Sequence, residues 1–439
     1  MPLLSDDLYK RLFLHLTARR WLVAYSGGVD SHVLLHLLVH CPQHPLIEVV
    51  HINHQLQAES GRWAEHCQQQ VDLLGIPLHS VAVDIKCGAR ESLEDKARQA
   101  RYQVFESLLE PNDVLMLGHH LDDQVETLML RLLRGSGSRG ASAMPHTRPI
   151  GHGTLLRPLL DIPRSAIEYY AACKKLQWVE DASNQNSHFD RNFLRLELLP
   201  KMAERWPEYR QTLSRAAALN EESANLNAEL AELDFHGLSL SPEDPSISLS
   251  ALKELSVARQ KNLLRYWLQT RGHPLPSAAQ IQAVLDELVD ARQDAEPLIE
   301  WSGVQIRRFK GELYAMEPLA EFNRAAIYPW DLSGSLALNG AGQLSFKSVT
   351  GAGINVSLLD SANVTVRFRQ GGERCQPAGR SGSQTLKKLF QEYEVETWLR
   401  DRVPLLFCGD TLVAVGDYWV CEGFEVSSPE KGAEVVWEK

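Results

Sequence analysis

The segment YSGGVDS (25–31) sets two glycines, two hydroxyls and a carboxylate where the apolar run WLVAYS (21–26) gives way to SHVLLHLLVH (31–40), a run of helical period. A helix N-terminus offers free N–H groups and the positive end of its dipole to an anion, and open α/β sheets bind ligands beyond the carboxyl ends of their strands. Gly27 and Gly28 let the backbone approach phosphate with no Cβ in the way, and Ser26 and Ser31 add hydroxyl donors. These residues read as a phosphate cradle. No lysine follows the glycines, so this is not the G-x-x-x-x-G-K-[ST] loop. A carboxylate at Asp30, beside phosphates, calls for a cation between the like charges.

The second stretch is GHHLDDQVETLMLRLLRGSG (118–137), again at the end of an apolar run. With a helix beginning near Leu121, Asp122 and Glu126 fall four apart and Asp123 and Glu126 three apart, so the carboxylates share one face. Acids at a helix start stabilise it by about 0.3–1 kcal/mol each, which alone would account for them. His119 and His120 immediately before them favour a site, in which a general base or an ammonium-binding pocket can be built.

Both stretches need a sheet to hold them. WLVAYS (21–26), LIEVVHINH (46–54), LHSVAVDI (78–85) and DVLMLGHH (113–120) read as strands, with helical runs at 31–40, 60–75 and 91–110 between them. Near-continuous apolar strands alternating with helices predict a doubly wound parallel sheet. A Gly/Ser-rich loop, GSGSRGASAMP (135–145), has the composition of a mobile lid. A long helix is expected over 207–234, a turn-rich break over 239–250, a mostly helical middle ending in a short β segment, and a small α+β tail. The expected domains are 1–217, 218–320 and 321–439.

A chain of 439 residues exceeds one ordinary core, and 44% hydrophobic with 23% charged residues fits a folded globular protein. No run of about 18 apolar residues and no signal peptide is present, so a cytoplasmic protein without membrane contact is expected. The seven cysteines are scattered and never spaced C-x-x-C, which predicts buried free thiols and no zinc site. The net charge of −11 opposes nucleic-acid binding, but the acidity is concentrated in 218–320, leaving a basic face open to the flanking parts.

The loop pattern S-G-G-x-D-S resembles that of the PP-loop ATP pyrophosphatases, Rossmann-like enzymes that cut ATP between the α and β phosphates; there Asp30 would hold Mg2+. LGHHLDDQVETLMLRLLRGSG, RPLLDIPRSAIEYYA (157–171) and WVEDASNQNSHFDRNFLRLELLP (178–200), in this order, closely resemble the signature segments of the tRNA(Ile)-lysidine synthetase family, and 366–420 resembles its C-terminal domain. The resemblance implies ATP-dependent attachment of free L-lysine to the wobble cytidine of an isoleucine tRNA with a CAU anticodon. It implies nucleotide contacts from Ser26, Gly27, Gly28, Asp30, Ser31, His51 and Ile52. Catalytic positions would be Asp30, His119, Asp123, Glu126 and Arg191, with Asp123 and Glu126 holding the lysine and His119 or a carboxylate as base. Arg98, Arg101, Asn192 and Arg195 would face substrate, with the choice between Arg98 and Arg101 open. HINHQLQ departs from the family's usual arginine at Gln57.

In the tail, Arg369, Lys387 and Lys388 belong to a basic run expected to meet tRNA, with Phe368, Phe390 and Trp398 available for stacking or packing. The alternative is a sulfur-installing PP-loop enzyme such as a cytidine thiolase; such enzymes commonly carry the C-x-x-C pair this chain lacks. A homodimer is left open.

Overall fold

The computed structural model describes residues 6–55, 60–85, 93–180, 186–289, 297–426 and 430–439. They form two compact units, Met1–Glu229 and Leu230–Lys439.

In the first unit, α1 (Asp6–Phe13), β1 (Arg20–Ala24), α2 (Val29–Val39), β2 (Leu46–Asn53), α3 (Ser60–Leu73), β3 (Leu78–Ala82), α4 (Leu93–Leu108) and β4 (Asp113–Met116) alternate as the apolar runs predict. Then follow α5 (Leu121–Leu133), α6 (Ser138–Ala141), β5 (Thr147–Ile150), β6 (Gly153–Leu156), α7 (Arg164–Lys174), α8 (Asp190–Phe193), α9 (Leu199–Arg205) and the long α10 (Tyr209–Gly237). The sheet order is β3-β2-β1-β4-β6-β5, parallel except for β5, which pairs antiparallel with β6. Side chains alternate across β1: Trp21 and Val23 enter a core with α2, α3 and α7, while Leu22 joins Phe105 and Leu109 on the α4 side. Helices therefore cover both faces.

From β1 the chain crosses outward to β2 on one side, and β1's other neighbour is β4. This reversal is the topological switch point where ligands bind in doubly wound sheets. Val23 is paired with Met116, so the loops leaving β1 and β4 emerge side by side although some ninety residues separate them.

The second unit holds two further cores. Ser246–Ser248 (β7), Leu298–Trp301 (β8), Val304–Phe309 (β9) and Glu312–Met316 (β10) form an antiparallel sheet in the order β7-β10-β9-β8, packed with helices around Trp267. The turn-rich stretch 239–250 thus contributes a strand. Further on, a five-stranded and a three-stranded sheet share a core with the helix Leu386–Glu392. Phe368 and Phe390 lie inside that core, and Trp398 packs against Phe309 and Tyr314, which settles their choice in favour of packing.

Two expectations need correction. Cys375 and Cys421, 46 residues apart, are joined as a disulfide with Cα atoms 6.1 Å apart, because chain reversal brings together what spacing hides. Of the other described cysteines, Cys41 and Cys67 are buried free thiols as expected, but Cys173 is exposed and Cys408 half-buried. The 135–145 loop is also no open flap: Gln124 bonds Met144 through both its amide oxygen and nitrogen, at 2.9 Å each, and Arg131 donates to the carbonyls of Gly140 and Ala143. Cys87 and Gln57 lie outside the described residues.

Candidate active site

The loop leaving β1 folds on its own hydroxyls. Ser31 Oγ donates to the Gly28 carbonyl (3.0 Å) and lies 3.1 Å from Ser26 Oγ, which accepts from the Gly28 N–H (3.3 Å). Gly27 has φ +83°, a conformation a side chain would strain. Gly28 caps α2 without a side-chain bond, so the helix start is free to meet an anion. Behind the loop, His51 Nδ1 lies 2.9 Å from the Tyr25 carbonyl and the ring is buried, so His51 fastens β2 to the end of β1; Ile52 is half-buried beside it. The Cys67 thiol, pushed up to about 12 by burial, is an inert neighbour.

The loop leaving β4 meets this cradle backbone to backbone. A Cβ on Gly118 would lie 3.1 Å from the Asp30 carbonyl carbon and oxygen and 3.2 Å from Ser31 N. Gly118→Ala is therefore expected to shift the loop and weaken ATP binding at least about tenfold, roughly 1.4 kcal/mol, measurable by calorimetry against wild type.

His120 N-caps α5: its ring accepts from Asp123 N–H (3.4 Å) while the Asp123 carboxylate accepts from His120 N–H (3.1 Å). His120 Nε2 sits 3.3 Å from Asp123 Oδ2 and 3.7 Å from Asp30 Oδ1, linking the two loops. Asp30 Oδ1 is buried with no hydrogen-bond partner. Burial raises the Asp30 carboxyl above its usual value against the pull of His120, Arg164 and Arg195. Burial alone would also raise Asp123, but His120 and Arg191 outweigh it and hold that group below the usual range.

Glu126 has no exposed surface and is gripped twice: Arg191 Nε at 2.9 Å, and Arg195 through Nε at 2.7 Å and an Nη at 3.0 Å. Arg191 is the second residue of α8, and Arg195 lies in the π-helical turn Leu194–Leu198 that follows, so both guanidiniums reach one carboxylate. Asn192 Nδ2 donates to the Asn186 carbonyl (2.9 Å). Asp122 turns away to Arg210 (2.5 Å) and to Arg164 N–H (2.9 Å).

Of the two candidate arginines, Arg101 is the one whose charge reaches His119 and His54. Arg98 and Arg148 both lie over the Tyr102 ring, and with it they line a cavity of about 280 Å³. Arg157, buried against His119, and Arg210, on α10, were not singled out in the sequence; for Arg157, an arginine in a β-rich run carries no periodic mark of burial. In the second unit, Arg369 is paired with Asp401 (3.2 Å), whereas Lys387 and Lys388 stand exposed, with Glu392 3.9 Å from Lys388.

A glycine cradle at a parallel-sheet switch point, facing a helix that carries Asp122, Asp123 and the buried Glu126, defines an α/β enzyme of the PP-loop class, and residues 4–202 match the family described as PP-loop domain. Residues 247–314 and 364–437 match the TilS substrate binding domain and the TilS substrate C-terminal domain. The tRNA(Ile)-lysidine synthases of Coxiella burnetii and Methylococcus capsulatus are 43% and 38% identical to this chain, each over 94% of it and over 92% and 95% of their own lengths. The chain belongs to the tRNA(Ile)-lysidine synthase family. Among solved structures it is similar to the U34-tRNA thiolase NcsA from Methanococcus maripaludis, with a TM-score of 0.41 and 18% identity over 50% of this chain and 78% of that one, too slight a likeness to argue from.

Proposed function

We propose that this protein ligates the ε-amine of free lysine to the wobble cytidine of an isoleucine tRNA with a CAU anticodon, at the expense of ATP, in the bacterial cytoplasm. The observation that carries this reading is the juxtaposition of the Ser26–Ser31 cradle with the Asp123–Glu126–Arg191–Arg195 cluster in a chain of this family.

In the first step the cytosine carbonyl oxygen bonds to the α-phosphorus as the α–β bridging bond breaks, and pyrophosphate departs with that electron pair. The N–H groups at the start of α2 stabilise the departing charge. The orphaned, buried Asp30 oxygen fits a divalent cation, so Asp30 would hold Mg2+, which supplies charge neutralisation for the phosphates. In the second step the lysine amine attacks the activated ring carbon, AMP leaves with the carbonyl oxygen, and the amine proton passes to a base. Asp123, held below the usual carboxyl range and accepting from His120 N–H, would hold the lysine ammonium. The division into domains at 217/218 and 320/321 belongs to this reading, supported by three separate family matches.

Incubating the protein with ATP, magnesium, labelled lysine and total bacterial tRNA should place label in one tRNA species with equimolar AMP. Label in no tRNA, or sulfur incorporation in its place, would overturn the reading. If Lys387 and Lys388 meet tRNA phosphates, Lys387→Ala/Lys388→Ala should lower the slope of log K against log salt by roughly 1 per lost contact. An unchanged slope would remove both lysines from the interface.

A further inference from the structure

At the end of β6, next to the reaction site, stands a guanidinium that the chemistry above leaves unused. Arg157 is 2% exposed. One of its Nη groups donates to the Pro145 carbonyl (2.7 Å), its own N–H donates to the His146 carbonyl (2.8 Å), and its Nε donates to His119 Nδ1 (3.3 Å). An arginine has five donors and no acceptor and stays charged, so the ring nitrogen it meets can only accept. A neutral imidazole with Nδ1 accepting carries its proton on Nε2.

We propose that Arg157 is a positioning residue for lysidine formation: it commits His119 to the tautomer that presents an N–H at Nε2, so that His119 donates a hydrogen bond to a reacting oxygen and does not serve as a base. This deepens the lysidine reading and rests on it. The surroundings agree. Burial, with the charges of Arg157, Arg191 and Arg101 against the single opposing charge of Asp123, lowers His119 to about 3, which keeps the ring neutral at physiological pH and makes it a poor proton acceptor. Among the described residues Nε2 has no hydrogen-bond partner, so its N–H is left for substrate. A neutral imidazole held as a donor by a fixed neighbour can stabilise a developing oxyanion without a proton-transfer step.

The test has a spectroscopic arm and a kinetic arm. In full-length protein labelled with 15N-histidine, with the His119 signals assigned by their loss in His119→Gln, Nε2 should be protonated and Nδ1 bare from pH 6 to 8. An Nδ1–H tautomer or an imidazolium in that range overturns the proposal, whatever the activity. Arg157→Met should abolish the single-tautomer signal and lower kcat by about 100-fold, the scale of one lost oxyanion donor, while leaving the ATP KM within about threefold. Because Arg157 is buried and its replacement could unfold the chain, His119 itself supplies a second comparison. The amide nitrogen of glutamine sits as many bonds from Cβ as Nε2 does, so His119→Gln should retain at least about tenfold more activity than His119→Glu. The reverse order would make His119 a base and sink the proposal. Should the wild-type protein form no lysidine at all, the functional reading fails, and the tautomer still reads out separately.

Discussion

Asp30→Ala is expected to lower pyrophosphate release by at least about 1000-fold, the scale of losing several kcal/mol of charge stabilisation at the α–β bridge. The same change should not cost stability. Asp30 has a buried, unpartnered oxygen, and burial raises its carboxyl above the unfolded value. A group shifted upward on folding favours the folded state only at low pH and opposes it once ionised, so at pH 7.5 the wild type bears a penalty that Asp30→Asn removes. The melting temperature of Asp30→Asn should therefore exceed that of wild type at pH 7.5, and the gap should close as pH falls through the titration of Asp30. Addition of Mg2+ and ATP should stabilise wild type far more than the variant. Wild-type turnover by Asp30→Ala would falsify the assigned role.

Replacing the two inner carboxylates should separate binding from architecture. Asp123→Asn is expected to raise the lysine KM by about 30-fold or more while ATP affinity changes by less than about threefold, since a partly desolvated ammonium needs a charged partner. Glu126 differs because it is wholly buried between Arg191 and Arg195. Glu126→Gln leaves Arg191 without its paired carboxylate and Arg195 with only Asp123, 3.5 Å away, which should cost about 3 kcal/mol in urea denaturation as well as activity. Equal losses of ATP and lysine binding in Asp123→Asn would move that residue to the nucleotide, and a Glu126→Gln protein as stable as wild type would show that the arginines need no buried partner.

The ATP loop and the acidic helix were legible in the sequence because each sits where an apolar run ends, and such runs read clearly as buried parallel strands. Their contact was not. Nothing in the spacing says that β4 lies beside β1, which only the sheet order reveals. The edge hairpin Thr147–Leu156 escaped notice because its strands are four residues each and one contains Pro149. The pairing of Arg191 and Arg195 on Glu126 depends on a π turn that leaves no compositional trace. Arg98 and Arg101, three apart on α4, could be told apart only once the ring of Tyr102 was seen to hold the first.

Two helices begin at the same edge of this sheet, and their first turns differ in one respect. At α5 the Leu121 N–H is taken by the Ile162 carbonyl and the Asp123 N–H by the His120 ring. At α2 no side chain caps the start. A polyanion arriving at the crevice thus finds one seat and one closed door. Its phosphates are drawn to α2 and repelled from the end ringed by acids. Which of the two helices is left uncapped thus sets the direction of charge across the crevice, with open N–H groups on the β1 side and acids on the β4 side.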